Sequence, residues 1–315
     1  MRPIIQNRYS HVDIQEINAL AQHKPMALVM QGEQYYRQQL TDAASLIRKA
    51  LPKYAVILLS GPSASGKTTT AHKLRQQLTE QGVHAWVLSM DNFYMGIEQY
   101  PLLPDGSRDM ESIQAIDLQL LNACFEELLE KGKADFPMFD FVTQTQHLKA
   151  HPIHLETNDV LIMEGIHALN PSVLGNIPQE NIFRMYVSVR TKFVCGEEII
   201  LEPKEIRLIR RMVRDYKFRN YAPEQTLQYW KYVVEGERVN IDPYRDAVHF
   251  KMDSTLDYEV CVWHSMLHYV IDSAELSGML RAYPELEGIV HALKRFTEMD
   301  IRCIPSASLL HEFIG

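Results

Sequence analysis

The most informative stretch of this sequence is Gly61-Pro62-Ser63-Ala64-Ser65-Gly66-Lys67-Thr68. It follows an apolar run from Ala55 to Leu59 and leads into a polar, helix-like segment. A G-x-x-x-x-G-K-T pattern between a strand and a helix is typical of a phosphate-binding loop, in which backbone N–H groups converge on an anion. The helix that begins near Lys67 adds the positive end of its dipole. A plain Gly/Ser turn is the alternative, but such a turn has no use for a lysine and a threonine at these positions.

We therefore expect this loop to bind the phosphates of a nucleotide. Lys67 would reach the β- and γ-phosphates, and the hydroxyl of Thr68 would bind Mg²⁺. The residues predicted to contact the nucleotide lie in the loop and in the first helical turn after it: Gly61, Ser63, Ala64, Ser65, Gly66, Lys67, Thr68 and Thr69.

Around the loop, strand-like and helix-like segments alternate, which indicates an α/β fold with parallel strands joined by right-handed crossovers. Residues 136–147 are aromatic and are predicted to be loop. The predicted strands are Tyr54–Leu59, Val83–Leu88, a short one at His151–Leu155, Val160–Met163, Ile182–Val189 and Tyr258–Trp263. The predicted helices are Lys67–Gln81, Ile113–Lys131, Glu202–Tyr216, Glu224–Glu237, Met266–Leu280 and Tyr283–Thr297.

Three regions are expected along the chain: a helical extension over residues 1–53, a P-loop core over 54–265 and a second helical extension over 266–315. Before residue 52, two amphipathic patterns are separated by Pro25. These patterns carry no chemical motif, so we interpret the first extension as a packing or oligomerisation element. A homo-oligomer is compatible with this interpretation.

Composition and charge restrict the functional class. Of the 315 residues, 46% are hydrophobic and 23% are charged, and the formal net charge is −8. This charge argues against a general nucleic-acid or membrane-surface binder, because affinity for phosphate backbones rests on clustered positive charge. The four cysteines show no C-x-x-C spacing, and we find neither a signal-peptide pattern nor an apolar run of about 20 residues. The sequence thus predicts a soluble cytoplasmic protein.

Two acidic residues come directly after predicted strands. Asp91 lies in Ser89-Met90-Asp91-Asn92, and Glu164 follows the apolar run that ends at Met163. Ligands of an open parallel sheet bind outside the carboxyl ends of its strands, so both carboxylates would lie near the phosphate loop. Asp91 could accept the proton of an attacking hydroxyl or help to hold a metal, and Glu164 would face Mg²⁺. The alternatives are an Asx-turn or cap at Asp91 and a solvated carboxylate at Glu164.

A helix near residues 203–220 carries the third element of the predicted site. Arg207, Arg210, Arg211 and Arg214 fall on one stripe of this helix. Four guanidinium groups placed in this way repel one another, so a polyanionic ligand explains them better than solubility does. A solvated basic face is the alternative. We expect a lid that closes over the phosphates, bearing Arg207, Arg210, Arg211 and Arg214, with Arg219 extending the cluster.

Together these segments resemble, in order, the motifs of the uridine kinase and phosphoribulokinase family. The matching stretches are the loop, Asp91-Asn92-Phe93-Tyr94, Pro137-Met138-Phe139-Asp140-Phe141, Glu164-Gly165-Ile166 and Arg207 to Asp215. The resemblance covers residues 54–265, and Ile304-Pro305 with residues 309–315 is similar to the tail of bacterial nucleoside kinases.

This resemblance implies a three-layer P-loop NTPase fold of the nucleoside-monophosphate-kinase type, with ATP and Mg²⁺ as the phosphoryl donor. The implied acceptor is the 5′-hydroxyl of a pyrimidine ribonucleoside. Asp91 matches the family's catalytic base, and the arginines match its lid and acceptor-side helix. The catalytic residues implied in this way are Lys67, Asp91, Arg210, Arg211 and Arg214, and Arg207 and Arg219 join the substrate residues.

The nucleoside pocket that the resemblance implies contains Tyr94, Glu111, Phe139, Phe141 and Gln144. Met110-Glu111-Ser112-Ile113 stands where such kinases usually read Phe-Asp-His-Pro, Phe139 replaces a tyrosine, and Gln144 replaces a base-contacting histidine. Glu111 could still bind ribose hydroxyls, but the hydrogen bonds offered to a base differ. The leading hypothesis is thus a nucleoside kinase. The alternatives are a kinase of another small alcohol or sugar phosphate, and a regulatory ATPase that signals through its helical extensions.

Overall fold

The computed structural model describes residues 4–5, 11–53, 55–140, 143, 145–173, 177–271 and 273–315. In these ranges the strands are β1 (Ile4–Ile5), β2 (His11–Asp13), β3 (Val56–Ser60), β4 (Ala85–Ser89), β5 (Lys133–Asp140), β6 (Thr145–His154), β7 (Val160–Glu164), β8 (Ile182–Ser188), β9 (Lys192–Cys195), β10 (Glu198–Leu201) and β11 (Phe250–Asp253). The α-helices are α1 (Ile14–His23), α2 (Pro25–Lys49), α3 (Lys67–Glu80), α4 (Leu118–Lys131), α5 (Pro203–Phe218), α6 (Pro223–Asn240), α7 (Val260–Val270), α8 (Ser273–Ala282), α9 (Pro284–Leu293) and α10 (His311–Ile314).

A parallel sheet with the strand order β1-β11-β8-β3-β7-β4 forms the centre of the fold. The strand β3, which precedes the phosphate loop, is buried along its whole length. From β3 the chain goes first to β4 and β7 on one side, then to β8 and β11 on the other. The order therefore reverses at β3, where such sheets leave a ligand-binding crevice at the carboxyl ends. The predicted α/β fold with a mainly parallel sheet is confirmed.

The register of the strands brings the predicted acidic residues to this edge. Glu164, the last residue of β7, pairs with Leu59 on β3 and with Ser89 on β4. The phosphate loop starts two residues after Leu59, and Asp91 follows two residues after Ser89. The carboxyl ends of the neighbouring strands β3, β7 and β4 thus place the loop, Glu164 and Asp91 at the same edge of the sheet.

Residues 11–53 pack into the same core as the sheet. Helix α2 lies against α3, and the Tyr36 hydroxyl is 2.7 Å from Thr70 Oγ1. The predicted helices on either side of Pro25 are confirmed, with Pro25 at the first turn of α2, where its missing N–H costs nothing. The prediction of helix was wrong for β1, which pairs with β11, and for β2, which pairs with β9. Both strands are too short to show an alternating pattern.

Two further predictions were wrong. Residues 136–147, expected to be loop, belong largely to the hairpin of β5 and β6. A bulge between Phe136 and Met138 accommodates Pro137 there, and that proline obscured the strand pattern. The apolar run from Tyr258 to Trp263, expected to be a strand, is a buried helical turn leading into α7, because a short buried run has no periodicity that separates helix from strand. The fifth core strand is instead β11.

The remaining predicted helices are present, but α4 begins at Leu118, after a 3₁₀ turn at Ile113–Ala115, and not at Ile113. The one expected over Met266–Leu280 is divided between α7 and α8. None of the helices in the described ranges combines the length and the apolar composition needed to cross a bilayer.

Candidate active site

The loop between β3 and α3 lies against the backbone of β8. A Cβ at Gly61 would lie 1.9 Å from the Val187 carbonyl oxygen, so only glycine allows this close approach. Gly66 has φ +81°, a left-handed conformation that glycine adopts without strain, and its carbonyl accepts the N–H of Thr70 at 2.9 Å. Ala64 also has a positive φ, +60°. Both glycines of the motif are thus needed, Gly61 for its close approach to β8 and Gly66 for its left-handed backbone conformation.

Lys67 and Thr68, the first two residues of α3, face the acidic edge of the sheet. Lys67 Nζ donates to the Pro62 carbonyl at 3.1 Å, and Thr68 Oγ1 donates to Glu164 Oε1 at 3.2 Å. Burial lowers the pKa of Lys67, while the carboxylates of Glu164 and Asp91 act in the opposite direction. The ammonium group is thus largely desolvated and held beside two carboxylates.

Glu164 has the properties of a cation ligand. Its side chain is buried, and burial together with the charge of Asp91 raises its pKa to about 7. A divalent cation would offset both causes, and the oxygen donors of Glu164, Thr68 and Asp91 fit Mg²⁺. The described residues contain no cluster of three or more histidine, cysteine or acidic side chains arranged for a metal. Mg²⁺ would therefore share its coordination with phosphate oxygens, its usual mode in kinases.

Asp91 lies in a short 3₁₀ turn, Met90–Phe93, that follows β4. Ser89 caps this turn by accepting the Asp91 N–H at 3.3 Å. The capping role that competed with catalysis for Asp91 is thus taken by Ser89. The half-buried Asp91 carboxylate acts electrostatically on Lys67, Glu164 and Tyr94. It is therefore close to both the phosphate loop and the predicted acceptor pocket.

The arginines of α5 contact the phosphate loop itself. Arg207 Nη1 donates to the Ser63 carbonyl at 3.3 Å, and Arg211 Nη1 donates to Ser63 Oγ at 2.8 Å. Arg210 Nη1 lies 3.4 Å from the Ala64 carbonyl oxygen, which it hydrogen-bonds. The helix face predicted to meet a polyanion is thus next to the loop expected to bind one.

Each of these arginines also has acidic or carbonyl partners that the sequence pattern did not reveal. Arg210 is fully buried and makes a bidentate ion pair with Glu259, at 2.7 and 2.8 Å, and a hydrogen bond to the Ser254 carbonyl at 2.8 Å. Arg207 pairs with Glu237 at 2.6 Å. The acids lie 30 and 49 residues away in sequence, so no local signal could have found them.

Asp215 pairs with the arginines at the C-terminal end of the arginine face. It lies within ion-pair distance of Arg211 at 3.2 Å, Arg214 at 2.7 Å and Arg219 at 3.7 Å. Burial, followed by the charge of Arg219, lowers the pKa of Arg214 to about 10. Arg219 is half exposed, whereas Arg214 is largely buried. Among the described residues, Arg214 and Arg219 pair with Asp215, and Arg214 also acts electrostatically on Lys67.

Helix α5 does not look like a lid in this conformation. Its residues Ile206, Ile209, Met212 and Val213 are fully buried in the core, and three of its arginines are tied to the phosphate loop. A lid would instead present few buried contacts. In this conformation α5 is thus a packed wall beside the phosphate loop, and the lid near 203–220 stays a prediction.

Glu111, a residue of the predicted acceptor pocket, lies beside the arginine face. Its carboxylate is 3.4 Å from Arg211 Nη1, and burial raises its pKa, an effect that Arg211 opposes. Helix α6 packs closely on this residue: a Cβ at Gly236 would lie 2.7 Å from the Glu111 Cβ, and Asn240 Nδ2 donates to the Glu111 carbonyl at 3.1 Å. Glu111 is thus contacted by two helices, its carboxylate by α5 and its Cβ and carbonyl by α6.

Aromatic side chains form another wall of this pocket. The ring of Tyr94 lies 5.9 Å from that of Phe139 and 5.7 Å from that of Tyr100, measured between centroids. The Tyr94 hydroxyl donates to the Met110 carbonyl at 3.1 Å, and Asn92 Oδ1 accepts the Phe139 N–H at 3.3 Å. The hairpin of β5 and β6 is thereby fastened to the turn that carries Asp91. Phe141 and Gln144 lie outside the described residues.

His167, which sequence reasoning missed, is buried three residues after Glu164. Burial and the positive charge of Lys67 lower its pKa to about 4. The imidazole is therefore neutral at physiological pH. A histidine in Gly165-Ile166-His167 carries no motif of its own, so only its position beside Lys67 marks it as part of the site.

Comparison with known proteins agrees with this geometry. A family model described as "Phosphoribulokinase / Uridine kinase family" matches residues 56–260. The chain is 30% identical over 178 residues to a uridine kinase of Lactobacillus helveticus, covering 56% of this chain and 75% of that one. It is also 30% identical over 197 residues to a uridine kinase of Deinococcus deserti, covering 61% and 86% of the two chains.

Among solved structures, a possible uridine kinase from Bacillus stearothermophilus aligns with a TM-score of 0.44 and 21% identity, covering 69% of this chain and 98% of that one. A D-glycerate 3-kinase from Cryptococcus neoformans aligns with a TM-score of 0.45 and 15% identity, covering 69% and 91%.

Proposed function

The chain belongs to the phosphoribulokinase and uridine kinase family and is a phosphotransferase with a hydroxyl acceptor, and we propose that it transfers the γ-phosphoryl group of ATP to the 5′-hydroxyl of a pyrimidine nucleoside such as uridine or cytidine. The observation that carries this proposal is the position of Asp91. Its carboxylate, not used as a cap, acts electrostatically on both Lys67 of the phosphate loop and Tyr94 of the proposed pocket. A general base that receives the proton of an acceptor hydroxyl needs this place.

On the donor side, the N–H groups of the loop and the Lys67 ammonium bind the phosphates. Mg²⁺, held by Thr68 and Glu164 with Asp91 nearby, would neutralise charge on the phosphate oxygens. Arg207 and Arg211 hold Ser63, so that the donors of the loop are in place before ATP arrives. Arg210 acts through Ala64 in the same way, which we interpret as a positioning role, while Arg214, paired with Asp215, acts electrostatically on Lys67.

On the acceptor side, the nucleoside lies among Tyr94, Phe139 and Glu111. The aromatic rings provide apolar surface for a base or a ribose, and the Glu111 carboxylate accepts hydrogen bonds from ribose hydroxyls. Burial raises the pKa of Glu111, and the charge of Arg211 opposes this shift and so favours the ionised carboxylate. The uridine kinases among the relatives support a nucleoside as the proposed acceptor.

The alternative of a regulatory ATPase was motivated by the two extensions. In the structure, helices α1, α2, α7 and α9 bury residues in the same hydrophobic cluster as the sheet. The extensions thus offer less independent surface for signalling than the sequence suggested, and transfer to an acceptor is the better-supported function.

The test is a panel of acceptors incubated with ATP and Mg²⁺, with products separated and identified by mass. The panel holds uridine, cytidine, purine nucleosides, small sugars and sugar phosphates. We expect one pyrimidine nucleoside monophosphate to accumulate well above the ATP hydrolysed without an acceptor. Turnover of a sugar or another small alcohol in place of a nucleoside would refute the acceptor and keep the kinase, and release of phosphate alone would refute transfer.

A further inference from the structure

The end of the chain, residues 308–315, forms a segment that packs against the phosphate loop, and we call it the C-terminal segment. A Cβ at Gly66 would lie 2.5 Å from Leu309 Cδ1, so the segment touches the loop at its last glycine. The Ser308 hydroxyl is 2.7 Å from that of Tyr258, and Lys217 donates to the Ile314 carbonyl. The segment is thus fastened at both of its ends.

The apolar side chains of the C-terminal segment belong to the core. Leu309, Leu310 and Phe313 are fully buried, and the Arg210 guanidinium lies over the Phe313 ring, 5.0 Å from its centroid. Removing such side chains from the core would be strongly unfavourable. The backbone of the segment therefore stays in place and presents its polar side chains at fixed positions beside the loop.

One of these polar side chains occupies a donor of the phosphate loop. Glu312 Oε2 accepts the backbone N–H of Thr69 at 3.2 Å. Thr69 is the third residue of α3, and the first N–H groups of a helix have no partner within it, which is why helix N-termini bind anions. The half-buried Glu312 also acts electrostatically on Lys67 and Glu164. A carboxylate of the same chain thus lies where we expect a phosphate.

On the premise that the loop binds ATP, as in the proposed function, we propose that Glu312 competes with a nucleotide phosphate for the N–H of Thr69 and thereby lowers ATP affinity. Two anions cannot share one donor at a helix N-terminus without strong repulsion. ATP binding therefore requires the Glu312 carboxylate to rotate away. Because the segment is buried around it, the side chain moves and the backbone does not.

Two variants separate the charge of Glu312 from its hydrogen bond. Glu312→Gln keeps an acceptor oxygen of the same shape and removes the charge, and Glu312→Ala removes both. We expect Glu312→Gln to bind ATP about fivefold more tightly than the wild type, from the size of charge effects at helix N-termini. Glu312→Ala should bind at least as tightly as Glu312→Gln. The matched control is Glu287→Gln, which removes an exposed carboxylate from the first turn of α9 and should leave ATP affinity unchanged.

The measurement is titration calorimetry with ATP, and with inorganic tripolyphosphate as a probe that lacks the nucleoside. Tighter binding of both ligands by the Gln variant supports competition at the phosphate position. Unchanged or weaker binding by the Gln variant would overturn the inference, since Glu312 would then be a neutral cap or a helpful ligand. Absence of ATP binding by the wild type and all variants would overturn the proposed function as well, so the two failures are distinguishable.

Discussion

The buried ion pair between Arg210 and Glu259 gives the sharpest prediction about the arginine face. Both side chains are fully buried, and two hydrogen bonds of 2.7 and 2.8 Å join them. Substituting Arg210→Met leaves the Glu259 carboxylate without its cation in the core, which costs about 3–5 kcal/mol of unfolding free energy. With an unfolding entropy of about 2 cal/mol/K per residue over 315 residues, the melting temperature should fall by about 5–8 °C.

The double variant Arg210→Met/Glu259→Leu removes both charges and should recover part of this loss, since the unpaired buried charge is gone but the Leu256 N–H and Trp263 Nε1 lose their acceptor. Thermal and urea unfolding of the wild type, both single variants and the double variant complete the cycle. If Arg210 only positions the loop, the double variant should lose about tenfold or less in kcat. A loss of about 1,000-fold, the size expected of an arginine that contacts the transferred phosphate, would refute the positioning role. A single variant as stable as the wild type would refute the energetic argument.

Three other substitutions test separate parts of the site. Gly61→Ala should abolish ATP binding, because its Cβ would lie 1.9 Å from the Val187 carbonyl, whereas Gly288→Ala, with open space around it, should bind normally in the same titration. Gly236→Ala should push on Glu111 and raise the acceptor KM while the Kd for ATP stays unchanged; equal changes in both would contradict the separation of the two subsites. Burial lowers the pKa of His167 to about 4, so the unfolded chain binds a proton more readily than the folded one. The free energy of unfolding should therefore fall as the pH drops from about 6.5 toward 4, by up to about 3 kcal/mol. Urea unfolding at several pH values should show a weaker pH dependence of the unfolding free energy for His167→Asn than for the wild type, and an unchanged one for the exposed His291→Asn. The same pH dependence in the wild type and both variants would show that His167 is not the titrating group.

The sequence was sufficient for the features whose signals are local. The phosphate loop, the parallel strands and the places of Asp91 and Glu164 follow from short patterns, because a buried strand and the residue after it fix both a position and an edge of the sheet. Three arginines of the helix face indicated by the spacing, Arg207, Arg210 and Arg211, form hydrogen bonds to the loop.

Other features depend on contacts between distant parts of the chain. Glu259 and Glu237, the partners of Arg210 and Arg207, lie on other helical segments, so spacing alone presented four unpaired arginines and favoured a lid. Likewise, no pattern near Glu312 indicates that it would contact Thr69. The apolar run at residues 258–263 failed for a different reason, since full burial erases the periodicity that separates a helix from a strand.

The central claim, transfer of a phosphoryl group to a nucleoside with Asp91 as base, is tested most directly by following the terminal phosphate of labelled ATP. The wild type and Asp91→Asn would be incubated with Mg²⁺ and uridine or cytidine, and the label measured in nucleoside monophosphate and in free phosphate. We predict that the wild type places the label in the 5′-monophosphate, and that Asp91→Asn binds ATP normally but transfers about 100- to 10,000-fold more slowly. Label found only in free phosphate, or equal transfer by Asp91→Asn, would contradict the account.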